Sequence, residues 1–99
     1  MSLGAQLEEL SESILESISA AETLAEKKQL QGQLNAVTAF VDKLTKTNVQ
    51  NNTANYIALT EQITKANNAL QVAITESNKM LQAITEAAKV IDILAKVVV

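Results

Sequence analysis

From Tyr56 to Val98, mostly apolar residues recur at steps of three and four: Tyr56, Leu59, Ile63, Ala66, Leu70, Ala73, Ser77, Met80, Ile84, Ala87, Ile91, Leu94 and Val98. Ser77 is the one clearly polar member. The period is seven residues, and on a straight α-helix such a stripe drifts by about 20° per heptad. Keeping it in contact with a partner helix favours a left-handed supercoil. Ile74, Leu81, Ala88, Val90 and Ala95 widen the stripe. The pattern predicts one helix over about 54–98. Its expected oligomer interface is Tyr56, Leu59, Ile63, Leu70, Ile74, Met80, Leu81, Ile84, Ile91, Leu94 and Val98.

The first half of the chain is less regular. Leu3, Leu7, Leu10, Ile14, Ile18, Ala21 and Ala25 form one stripe, and Leu30, Leu34, Val37, Val41 and Leu44 form another. At about 100° per residue the two stripes lie on nearly opposite sides of one straight helix. Between them runs Glu26-Lys27-Lys28-Gln29-Leu30-Gln31-Gly32-Gln33. A glycine costs a helix only ~1 kcal/mol, too little to force a break. The first arm is therefore expected to be one helix over about 3–46, with halves facing different partners. The alternative is three helices in all, with a break near 27–32.

Between the arms, Thr47-Asn48-Val49-Gln50-Asn51-Asn52-Thr53-Ala54-Asn55 is rich in side chains that hydrogen-bond locally and compete with helix. It reads as a turn over about 47–54, with Asn52 or Thr53 as an N-cap. Two matched arms and a short connection predict an antiparallel hairpin, each arm about 65 Å long at 1.5 Å per residue. The last turns of the second arm, from Ala87 to Val99, carry charge only at Lys89, Asp92 and Lys96. A helix that apolar needs cover on several sides, which one partner cannot supply. The expected fold is thus all-α: a long helical hairpin, a single domain over 1–99, assembling into a bundle of four or more helices.

Composition supports this and narrows the function. The 99 residues include no Pro, Cys, His, Trp or Arg and only two Gly, so helix breakers are scarce. Residues 1–26 hold six glutamates and no lysine, whereas 27–99 hold all eight lysines and five acids. An acidic chain without arginine and with two aromatic residues is poorly equipped for phosphate neutralisation or base stacking. Nucleic acid is not an expected partner. The N-terminus lacks a basic region followed by an apolar run, so no signal peptide is expected. The C-terminal apolar run is about thirteen residues, short of the roughly twenty that span a bilayer. That leaves a cytoplasmic or leaderless secreted protein, with a membrane surface a less favoured partner.

Catalytic and metal chemistry find little support. Without His or Cys the usual general base, nucleophile and soft metal ligands are missing together. Glu8, Glu12 and Glu16 line one helix edge at i, i+4, i+8, and read as a solvated acidic face that can receive a basic partner. Tyr56 reads as hairpin packing, and Ser77 as a close-approach residue. Lys27-Lys28 is too short for a nucleic-acid or lipid patch. Glu61–Lys65, Asp42–Lys46, Asp92–Lys96, Glu76–Lys79 and Glu86–Lys89 are spaced for helix-surface ion pairs. Asn51-Asn52-Thr53 matches the glycosylation pattern without a leader to give it meaning. No enzyme, metal or cofactor is expected.

The reading that follows is a non-catalytic coiled-coil interaction or scaffolding protein that self-associates through its apolar stripe. Two others stand beside it: a leaderless secreted or membrane-active helical protein, such as a translocator, needle or toxin-like component, and a chaperone or adaptor for another helical protein. In length and hairpin layout the chain resembles the small secreted helical hairpins that carry a Trp-x-Gly turn. Here the turn region has neither Trp nor Gly, so the resemblance covers layout and transfers no residue.

Overall fold

The computed structural model describes residues 3–44 and 54–97. The asparagine-rich turn, its candidate caps Asn52 and Thr53, and Val98 lie outside the described residues. Among those described the chain is all-α, with no strand. Its helices are α1 (Leu3–Ala20), α2 (Leu24–Leu44), α3 (Ala54–Thr75) and α4 (Met80–Val97), with one 3-10 turn, Ser77–Lys79, just before α4.

Neither arm is continuous. Each folds back on itself, so a single chain supplies four helices. The first break falls at 21–23, ahead of the 27–32 segment, and it is made by capping chemistry rather than by glycine. Ala21 N–H donates to the Ser17 carbonyl at 2.8 Å, closing the last turn of α1. Thr23 then caps α2, its Oγ1 accepting from Glu26 N–H at 3.1 Å. Thr23-Leu24-Ala25-Glu26 has the Thr-x-x-Glu spacing of a capping box. Meanwhile α2 runs straight through Gly32, which does not adopt positive φ.

The second break is at Glu76, whose backbone is extended at φ −126° and ψ 93°. Glu76 N–H still donates to the Val72 carbonyl at 2.9 Å, and Lys79 N–H donates to the Glu76 carbonyl at 2.9 Å. One extended residue and one tight turn therefore reverse the chain. Ser77 and Asn78, both exposed, occupy the corner.

Around the bundle α1 packs on α2 and α3, and α4 packs on α3 and α2. The helices within each broken arm are antiparallel. Across the bundle α1 and α3 run parallel, since Glu9 and Ser13 meet Asn67 and Gln71 in ascending order. Both bends consequently lie at one end of the molecule. The longest dimension is 38 Å rather than the 65 Å of a straight arm, and the radius of gyration is 12.9 Å. A compact 100-residue domain is expected near 13 Å.

One core runs through the bundle. Leu7, Leu10 and Ile14 of α1, Leu30 and Val37 of α2, Leu59 and Leu70 of α3, and Met80, Val90 and Leu94 of α4 are essentially solvent-free. The two opposed stripes of the first arm resolve here. They belong to different helices, each turned to the same core, and Ala25 beyond the first break is exposed.

Candidate interaction surface

Most of the expected interface lies inside the chain. Leu59, Ile63, Leu70, Met80, Ile84 and Leu94 are buried in the core, and Tyr56, Ile74 and Ile91 are half-buried. Leu81 departs from them with 65% of its surface exposed. Among the widening residues Val90 is buried, Ala88 half-buried and Ala95 exposed. Among the described residues the apolar stripe is thus largely buried within one chain.

The seam between α1 and α3 is polar at its centre. Ser17 Oγ donates to the Ser13 carbonyl at 2.8 Å, which lets a hydroxyl sit fully buried. Ser13 Oγ donates to Asn67 Oδ1 and accepts from Gln71 Nε2 at 3.0 Å. Asn67 Nδ2 in turn donates to Glu9 Oε1 at 3.3 Å. Beside this network lies a cleft of about 500 Å³, walled by Gln6, Glu9, Thr60, Thr64, Asn67 and Asn68 among others. Apolar pairs tolerate sliding, whereas a chain of directional bonds fixes the axial register of two parallel helices.

A second network ties α3 to α4 on the surface. Gln62 Nε2 donates to the Glu86 carbonyl at 3.0 Å and to Glu86 Oε2 at 2.6 Å. Lys89 Nζ pairs with Glu86 Oε1 at 3.3 Å, closing one of the spaced ion pairs. The Gln62 hydrogen bond, chiefly, holds the Glu86 carboxyl below the ordinary glutamate range. Partial burial opposes this, and the Lys89 hydrogen bond and the charges of Lys89 and Lys65 reinforce it. On the α2–α4 side Gln33 Nε2 donates to the Ile84 carbonyl at 2.8 Å, while Gln33 Oε1 is buried without a hydrogen-bond partner.

Glu8, Glu12 and Glu16 are exposed along the outer edge of α1. Among the described residues no group of three or more His, Cys, Asp or Glu is placed to hold a metal ion. Also among the described residues, no helix is long and apolar enough to cross a membrane. Lys27, half of the basic pair, reaches back across the first bend, its Nζ donating to the Ile18 carbonyl at 3.0 Å.

Among the described residues, large apolar side chains left on the surface are Leu15, Leu24, Ile57, Val72 and Leu81, each 44–67% exposed. Leu24 opens α2 just after the first bend; Val72 and Leu81 lie within about a turn of the second. Those three therefore sit at the bend end of the bundle.

Against protein-family models, curated proteins and solved structures, the chain matches none. Sequence reasoning missed the amides Gln33, Gln62, Asn67 and Gln71. Their signal was an amide flanking the apolar stripe, where a surface charge would otherwise suffice.

Proposed function

We propose that this chain is a non-catalytic helical interaction module that self-associates. The observation that carries the reading is that Leu24, Val72 and Leu81, 67%, 44% and 65% exposed, all lie near the bend end. Single exposed leucines are ordinary on a monomer, and three large apolar side chains near one end give a partner more to cover than one does. The bundle's own stripe is already consumed by its core, so the module docks as a folded unit rather than by exchanging helices.

Sedimentation velocity of the full chain across the micromolar range tests the reading. Dimers or larger species are expected, weakened at least tenfold by Leu24→Ser/Leu81→Ser with helicity unchanged. A cooperatively folded monomer at every concentration would sink it. A fixed-stoichiometry complex with a different helical protein, and no homomer, would move the reading to an adaptor.

A further inference from the structure

Charge is distributed over the bundle in a complementary way. Helix α1 carries Glu8, Glu9, Glu12 and Glu16 and no cation. Glu8, Glu12 and Glu16 are exposed and repel one another at i, i+4 spacing. On a different face, the groove between α3 and α4 is lined by Lys65, Lys79 and Lys89; Lys89 is paired with Glu86, the acid lining it, which leaves the groove with two cations in excess. Between the charges it is lined by the amides Gln62, Asn68 and Gln82 and by Ala69 and the half-exposed Val72, and its two adjoining hollows measure about 250 and 360 Å³.

We infer that the α3–α4 groove of one copy receives the acidic edge of α1 from a second copy. This rests on the self-association proposed above and adds to it a second, charged contact, with Val72 the one residue that the groove shares with the bend end. Glu8 to Glu16 spans about 12 Å of helix at 1.5 Å per residue, and Lys79 to Lys89 about 15 Å, so the two charge rows match in length. Leu15, 57% exposed between Glu12 and Glu16, supplies an apolar side chain to meet the half-exposed Val72. A polyanion such as nucleic acid fits less well, because the chain as a whole is acidic at −3 and would repel it. An acidic edge on an identical chain is present at equal concentration with every groove.

The contact joins two different surfaces, so it is heterologous. Each pair keeps one free acidic edge and one free groove, and association continues past the dimer or closes a ring. It also weakens with salt, since exposed charges are screened over about 30 Å at 0.01 M but about 3 Å at 1 M.

Complementary charge reversal tests this. Glu8→Lys/Glu12→Lys/Glu16→Lys and Lys65→Glu/Lys79→Glu/Lys89→Glu change exposed side chains, and far-UV circular dichroism checks that each variant remains helical. If the milder Lys65→Gln/Lys79→Gln/Lys89→Gln set is needed to preserve folding, it is expected to weaken association in the same direction. In sedimentation at about 0.01 M salt, each reversal alone should weaken self-association at least tenfold. Mixing the two in equal amounts should restore it, because each edge then faces a groove of opposite sign. No recovery in the mixture, with an unrelated acidic peptide still binding the wild-type groove, would overturn the second-copy assignment. Wild-type association unaffected by salt and by both reversals overturns the groove while leaving self-association standing. A wild-type monomer at low salt and millimolar concentration removes both.

Discussion

Lys27 Nζ donates to the carbonyl of Ile18 at 3.0 Å, across the bend that separates α1 from α2. The last turn of α1 contains no basic residue of its own. A helix C-terminus leaves carbonyls unpaired and carries partial negative charge, so a cation from the next helix serves both needs. Lys27→Met keeps the apolar stem and removes the charge. It should destabilise the fold by about 0.5–1 kcal/mol in urea titrations. The exposed neighbour Lys28→Met should stay within about 0.5 kcal/mol. Equal effects at the two positions would mean the Ile18 bond contributes nothing.

Leu70 and Leu81 belong to the same sequence pattern but have opposite surroundings. Leu70 has no exposed surface and Leu81 is 65% exposed. Leu70→Ala is expected to cost about 2–5 kcal/mol, combining lost transfer energy with a cavity. Leu81→Ala at concentrations where the chain is monomeric should fall within about 0.5 kcal/mol. Chemical denaturation of both variants decides it, and a large loss at Leu81 would place that residue in the core.

Gly32 lies inside α2, and a Cβ built there meets nothing within 4 Å. Gly32→Ala should therefore stabilise the chain by about 0.5–1 kcal/mol, from higher helix propensity and a less flexible unfolded state. A loss of stability in thermal or urea melts would argue for a break at this residue.

Glu86 has its folded-state acidity strengthened by Gln62 first and by Lys89 and Lys65 after it. A lowered folded pKa means the ionised form is favoured by folding. Its contribution is fully present above the ordinary glutamate range and is lost as pH falls through the lowered folded value. Urea melts of wild type and Glu86→Gln from pH 7 to pH 3 should therefore differ most at neutral pH and converge in acid. Curves that stay parallel throughout would show that Glu86 is not linked to folding.

Helix content, the apolar faces and the need for four helices were legible from spacing alone. The bends were not, for a reason visible at Ala73, Ser77 and Met80. The reversal at Glu76 takes up one extended residue and one tight turn, so the steps from Ala73 to Ser77 and on to Met80 keep the helical rhythm. A heptad stripe cannot distinguish one long helix from two short ones that remain in phase through a reversal. The polar cluster at Thr75, Ser77 and Asn78 was the available sign. At the first bend the sign was Thr23 followed by Glu26, a capping pair within a run free of glycine and proline. The two opposed stripes of the first arm already required either a break or two partners. An amide flanking the stripe marks a position for a hydrogen bond, but nothing in its identity says which helix it will face.

Each arm folds back, so that one chain builds the bundle. The chain has no cysteine, and Glu8 and Thr38 are exposed. With Lys27 beside Ile18, the antiparallel pairing of α1 and α2 sets Glu8 and Thr38 at the same height. Spin labels on Glu8→Cys/Thr38→Cys, diluted with unlabelled chain, read this spacing by pulsed dipolar spectroscopy. Neighbouring helices 8–10 Å apart place the labels within about 25 Å of each other. A population centred near about 45 Å, the length of thirty residues of unbroken helix, would contradict the folded-back bundle.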